Sequence, residues 1–155
     1  MPIELKNVDY VYDSGEPFEY FALRNINVRI DEGSFVGIVG RTGSGKSTLV
    51  EHLNGLLFSS HGEVLVDGQA LSRDRKVLSG VRRKVGIVFQ YPEDQFFAET
   101  IFEEVAFGCR NYGFSKEQVD ASVQKAMTIV GLDPGHFLPL SPFQLSGGEQ
   151  RRVAI

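Results

Sequence analysis

The sequence predicts an α/β fold in which a β-rich first half is built around a glycine-rich loop and the second half is helical. Three observations carry this. Apolar and polar residues alternate through much of residues 1–30, the mark of half-buried strands. A glycine-rich loop, Gly40-Arg41-Thr42-Gly43-Ser44-Gly45-Lys46-Ser47-Thr48, stands between a short apolar run and a helical stripe. Past residue 90 the chain offers a succession of helix-start signatures. At 155 residues one domain is the expectation, with 1–90 as its β-rich nucleotide-binding part and 91–155 as its helical part.

Ile3, Leu5 and Val8, then Phe21, Leu23, Ile26, Val28 and Ile30, flank the loop Asp13-Ser14-Gly15-Glu16-Pro17, which predicts an antiparallel pair of strands. Asp31-Glu32-Gly33 makes a second turn. Phe35-Val36-Gly37-Ile38-Val39 is nearly all apolar, as expected of a strand buried on both faces. After the loop, Leu49, Leu53, Leu56 and Leu57 form a helical stripe over 46–57, with Gly55 near its end. Gly62–Gly68 and Val85–Gln90 are predicted as further strands. Thr100 with Glu103, Ser115 with Gln118 and Ser146 with Glu149 are capping boxes that each open a helix. The middle one carries Val119, Val123, Ala126, Met127 and Val130 on one side and stops at Gly131. Pro134, Pro139 and Pro142 predict an irregular connection.

Composition excludes several classes. A formal net charge of −4 and a pI near 5.4 argue against a nucleic-acid partner held by bulk electrostatics. The bases Arg73, Arg75, Lys76, Arg82, Arg83 and Lys84 cluster, and the plain reading of that cluster is a solvated polar connection. Cys109 is alone, so no intrachain disulfide forms. The start of the chain lacks a signal-peptide pattern and no segment approaches a membrane span. A cytoplasmic protein is expected, reaching a membrane only through a partner. His52, His61 and His136 lack metal-ligand spacing.

Gly40-x-x-x-x-Gly45-Lys46-Ser47 matches the pattern G-x-x-x-x-G-K-[ST] in its strand-loop-helix context. Glycines let the backbone wrap an anion so that successive N–H groups point inward, and the helix adds its positive end. Lys46 supplies a compact positive charge for β- and γ-phosphates, and Ser47 a hydroxyl for Mg²⁺. The motif alone does not choose among kinase, GTPase, motor and transport ATPase.

Leu145-Ser146-Gly147-Gly148-Glu149-Gln150 adds a serine-capped helix start with two glycines, a second place where exposed N–H groups can face an anion. Together with the first motif this stretch resembles the signature of ATP-binding-cassette (ABC) ATPases. The family's usual fifth residue is Gln; here it is Glu149, with Gln150 one place later. The stretch Phe89-Gln90-Tyr91-Pro92-Glu93-Asp94-Gln95-Phe96-Phe97 and the following Glu103–Gly108 are similar to the ATPase subunits of energy-coupling-factor transporters, which import metal ions and vitamins.

The resemblance implies a P-loop NTPase of ABC type with an antiparallel β subdomain and a helical subdomain. ATP and Mg²⁺ are the implied ligands. Gly40, Thr42, Gly43, Ser44, Gly45, Lys46, Ser47 and Thr48 would hold the phosphates. Tyr12, with Tyr10 as its competitor, would stack on adenine. Ser47 and Gln90 would address the metal, and Lys46 and Gln90 would act in catalysis. Ser146, Gly147, Gly148 and Glu149 would close on ATP held by a second ATPase subunit, identical or not. Glu93 and Asp94 would meet an integral membrane subunit. A soluble ABC protein and a non-catalytic nucleotide-binding module are the alternatives. The family also has a Walker B strand with its Asp, a catalytic Glu, a dimer-contact loop and a switch His, and none is assigned in residues 1–155. The C-terminal part of the core is therefore expected to be absent, and hydrolysis by this chain to be severely slowed. Phe35–Val39 and Val85–Phe89 are expected to expose apolar faces, making the isolated chain unstable or self-associating.

Overall fold

The computed structural model describes residues 1–155, which form two compact units, Met1–Ile87 and Val88–Ile155. In the first, β1 (Ile3–Tyr12) pairs antiparallel with β2 (Tyr20–Ile30) and with β3 (His61–Val66), and β3 pairs with β4 (Gln69–Ala70), giving the order β2-β1-β3-β4. The predicted hairpin is present, but its alternation is not strict. After Ile3 and Leu5, simple alternation would bury Asn7. Asn7 instead adopts a φ of 49°, the ladder slips between Leu5 and Val8, and Val8 is fully buried. Asn25, at a φ of 45°, accompanies the matching shift between Leu23 and Ile26 on β2. Asparagine tolerates that left-handed backbone better than other residues with a Cβ. The Asn7 N–H donates to Asn27 Oδ1 at 3.0 Å, and the Asn25 N–H to Asp9 Oδ1 at 2.6 Å.

One face of this sheet holds the core residues Ile3, Leu5, Val8, Leu23, Val64 and Val66, joined by Val81 and by the partly buried Leu49, Leu53, Leu71 and Val85. Leu49 and Leu53 come from α1 (Lys46–Leu53), and Val81 from α2 (Arg75–Arg82). The first helix ends at Leu53 rather than Leu57, because Gly55 turns at a φ of 70° and the Leu56 and Leu57 N–H groups both return to the Glu51 carbonyl at 3.0 and 3.1 Å. Arg82 then donates to the Asn54 and Gly55 carbonyls at 3.4 and 2.9 Å, a cation placed where the helix leaves its carbonyls unsatisfied. The basic cluster is thus more than a solvated connection. Lys84 pairs with Asp67 at 2.8 Å, and Arg73 stands 5.0 Å over the Phe58 ring. Asp74 caps α2 by accepting from the Lys76 and Val77 N–H groups at 2.8 and 3.2 Å.

Two predicted strands are corrected. Phe35–Val39 and Val85–Gln90 enter no ladder. Phe35 and Val39 are 102% and 93% exposed, and Val88 and Phe89 are 52% and 39% exposed. A continuous apolar run becomes a buried strand only when neighbours pair with it on both edges and pack on both faces, and no strand of this chain does so. The exposed apolar faces expected from the sequence are present.

The second unit is helical. It comprises α3 (Ile101–Asn111), α4 (Lys116–Ile129), α5 (Pro134–Phe137) and α6 (Gly147–Val153), with 3₁₀ turns at Pro92–Gln95 and Pro142–Gln144. The proline-rich connection is therefore more regular than predicted; Asp133 and the first-turn prolines start short helices there. Ile101, Met127, Leu132 and Val153 form one buried cluster, and Ala106, Val119 and Val123 another. The capping box of α4 forms in full. At α3 only half does, because Thr100 accepts from the Glu103 N–H at 3.2 Å while the Glu103 carboxylate pairs with Arg110. Arg152 of α6 donates to the Val130 and Gly131 carbonyls at 3.3 and 3.2 Å, closing the end of α4.

Candidate functional site

The loop Gly40–Gly45 leads directly into α1 with Gly45 as the N-cap residue. Its start is gathered by Lys46, whose Nζ donates to the Gly40 carbonyl at 2.9 Å and the Arg41 carbonyl at 2.8 Å. An ammonium carries three donors, so the third remains for an anion. Gly45, at a φ of 85°, rests so close to β2 that a Cβ would come within 2.5 Å of the Ala22 carbonyl oxygen. At the start of α1 lies a depression of about 270 Å³ lined by Tyr20, Ala22, Gly43, Gly45, Lys46, Ser47 and Thr48. Thr42, Gly43, Ser44 and Ser47 are exposed. An exposed serine hydroxyl beside a lysine ammonium at a helix N-terminus is a donor set that suits a metal-bound polyphosphate. No cluster of three or more His, Cys, Asp or Glu side chains suited to a metal ion occurs in the chain.

Thr48 is the buried member of the loop sequence, 7% exposed, and its hydroxyl is bonded to the Tyr12 hydroxyl at 3.2 Å. Tyr12 borders Thr48 and is not among the residues lining the depression. Its ring meets Tyr10 edge-on at 4.8 Å, and Tyr10 meets His52 in the same manner at 4.8 Å. His52 is fully buried, and its Nδ1 lies 2.7 Å from the Thr48 carbonyl. Because the partner is an acceptor, Nδ1 carries the proton, and Nε2 is left buried without a partner. Burial pushes the His52 pKa below its ordinary value, outweighing the bond to Thr48. Tyr20, which the sequence reading did not single out, lines the depression and donates its hydroxyl to the Gly43 carbonyl at 2.9 Å. The signal was available: Tyr20 is the direct cross-strand partner of Tyr12, so the two side chains leave the same face of the hairpin.

The other sequence-predicted residues lie in the second unit. Gln90 is exposed. Tyr91, at a φ of 55°, precedes the 3₁₀ turn that carries Glu93 and Asp94. Asp94 is exposed, whereas the Glu93 side chain is only 19% exposed, stands 3.6 Å from Arg151 of α6 and has one oxygen buried without a partner. Phe97 and Phe107, 63% and 48% exposed, meet edge-on at 4.9 Å beside this turn's sequence. At the start of α6, Ser146, Gly147 and Gly148 are exposed. The Glu149 carboxylate accepts from the Ser146 hydroxyl at 2.6 Å and the Ser146 N–H at 2.9 Å. These bonds, the hydroxyl's first, hold the Glu149 pKa below the usual carboxylate value. No helix of the chain is long and apolar enough to cross a membrane.

Residues 23–155 match the ABC transporter family. The chain is 49% identical along its whole length to the energy-coupling factor transporter ATP-binding protein EcfA2 of Clostridium perfringens and 52% identical to that of Symbiobacterium thermophilum, covering 54% of each. The chain spans about half the length of these curated relatives. Among solved structures it resembles cbiO1 from Clostridium perfringens, described as part of the ABC transporter complex cbiONQ, with a TM-score of 0.83 and 32% identity over 98% of this chain and 58% of that one. It also resembles MJ0796, a bacterial ABC transporter cassette solved as a dimer, with a TM-score of 0.83 and 35% identity over 99% of this chain and 67% of that one.

Proposed function

Because the chain belongs to the ABC transporter family, we propose that it is the nucleotide-binding part of an ATPase subunit that energises an energy-coupling-factor importer of metal ions or vitamins. The observation that carries this reading is the unbroken match of all 155 residues to ATP-binding subunits of that transporter class at about half identity. The phosphate loop supplies the chemistry. Lys46, with one ammonium N–H open, and the loop from Gly40 to Thr48 hold the triphosphate of Mg-ATP. The hydroxyl of Ser47 and the carboxamide of Gln90 serve the metal, and Tyr12 contacts the adenine. The exposed start of α6, from Ser146 to Glu149, faces nucleotide held by a second ATPase subunit. That closure requires Glu149 to yield the Ser146 hydroxyl, since a carboxylate and a phosphate compete for the same donor.

Asp94 and the exposed Phe97 and Phe107 support an integral membrane subunit as the second partner, with a cationic, partly apolar segment as its contacting element. Glu93 is turned toward Arg151 and meets that subunit only after breaking this pair. The protein would sit on the cytoplasmic side of the membrane through that partner. Residues 1–155 thus supply the binding of Mg-ATP, the step on which the rest of the reaction depends. Calorimetric titration with Mg-ATP tests the core of the reading. Lys46→Ala is expected to lower affinity by at least about tenfold through loss of a charge-assisted contact; equal affinity for both proteins would refute it. Co-purification with an integral membrane subunit, reduced by Asp94→Arg, tests the transport assignment.

A further inference from the structure

We propose that Tyr20 is a positioning residue for the phosphate loop, holding the middle of that loop in its ligand-ready shape through the hydrogen bond from its phenol to Gly43. The proposal rests on the nucleotide-site reading above. The loop has three anchor points, and each is a different kind of contact. Its start is drawn in by the Lys46 ammonium on the Gly40 and Arg41 carbonyls. Its end is seated on β2, where Gly45 leaves no room for a Cβ against Ala22. The middle is open. A Cβ at Gly43 would meet no atom within 4 Å, and the one bond that closes the local turn is the Ser44 N–H to the Arg41 carbonyl at 3.2 Å. Tyr20 reaches that open stretch from β2 and takes the Gly43 carbonyl at 2.9 Å.

The consequence is energetic. A glycine-rich segment has more conformational freedom to lose than any other, and a ligand that must order it gives up affinity in doing so. Tyr20 fixes the Gly43 carbonyl in the free protein, so the adjoining peptide groups are oriented before the anion arrives. Tyr20 is 53% exposed and is not among the core residues; loss of its hydroxyl therefore acts first on the loop. Tyr12 opposite it makes a different contact, to Thr48 at the buried side of α1, so the two tyrosines have separable roles.

Calorimetry with two ligands on the intact chain, Mg-ATP and Mg-tripolyphosphate, tests this. Tyr20→Phe keeps the ring and removes the hydroxyl. It is expected to weaken both ligands alike, by up to about fivefold, the scale of one net hydrogen bond, while the chain still unfolds in one cooperative step. Two results overturn the proposal: Tyr20→Phe binds both ligands as the parent does, or it loses affinity for ATP and keeps it for tripolyphosphate, which would place Tyr20 on the nucleoside instead. Lys46→Ala measured alongside separates the two levels of the argument. If it too binds as the parent does, the nucleotide site itself is misassigned. If it loses both ligands while Tyr20→Phe loses neither, only the role of Tyr20 fails.

Discussion

Replacing Gly45 by alanine separates two costs that are usually merged, the cost of a left-handed backbone and the cost of a lost close approach. Gly43 and Gly45 both sit at positive φ, 80° and 85°. A left-handed conformation costs a residue with a Cβ roughly 1–2 kcal/mol, and this term is common to both sites. At Gly43 nothing further is added, since a Cβ there meets open space. At Gly45 the same Cβ would lie 2.5 Å from the Ala22 carbonyl oxygen and 3.2 Å from Leu23 Cδ2. The first neighbour is backbone of a paired strand and cannot swing aside, and forcing extra atoms into such a contact costs typically about 1–3 kcal/mol. Gly43→Ala should therefore lose about 1–2 kcal/mol and Gly45→Ala about 2–5 kcal/mol of unfolding free energy. Urea unfolding followed by circular dichroism reads both. Equal losses in the two variants would refute the claim that the loop is seated on β2 through Gly45.

Met127→Ala removes a fully buried side chain from the cluster with Ile101, Leu132 and Val153; a loss of about 2–5 kcal/mol is expected, read as an earlier melting of helical circular dichroism. For His52 the sign follows from its depressed pKa. Above the ordinary value of 6.5 this group leaves stability flat; as pH falls below that value the unfolded chain takes up the proton first, so stability declines down toward the folded pKa. Urea midpoints at about pH 7.5 and pH 5.5 should therefore fall further in the parent protein than in His52→Gln; identical declines would show that buried His52 does not contribute to acid sensitivity.

Local rules made much of the fold legible. The hairpin, the phosphate loop, the start of α4 and the start of α6 all follow from short patterns whose physics is contained within a few residues, namely alternation, glycine placement and Ser or Thr caps. The outcomes that departed from pattern are those that depend on what lies across space. Phe35–Val39 has a strand's composition and no strand's pairing. The α1 stripe continues to Leu57 in sequence, yet the helix stops at Leu53 because Gly55 and Arg82 close it there. Glu103 looks like half of a capping box and instead pairs with Arg110.

The candidate site divides in the same way. From the sequence alone came the proposal that Gly40 to Thr48 hold phosphate, because a lysine and a hydroxyl after a glycine-rich turn suit an anion. The signature at Ser146 to Glu149, and the resemblance to energy-coupling-factor ATPases, came the same way. Only the tertiary structure decided that Tyr20 reaches Gly43 and that the hydroxyl of Tyr12, whose ring is the candidate for adenine, lies on Thr48; both contacts depend on strand register and side-chain reach across the hairpin. It also decided that Glu93 faces Arg151 and that the Glu149 carboxylate holds Ser146. A side chain's type is written in the sequence, but its partner is set by which groups the packed chain brings within a few ångströms, and charged groups take the nearest donor available.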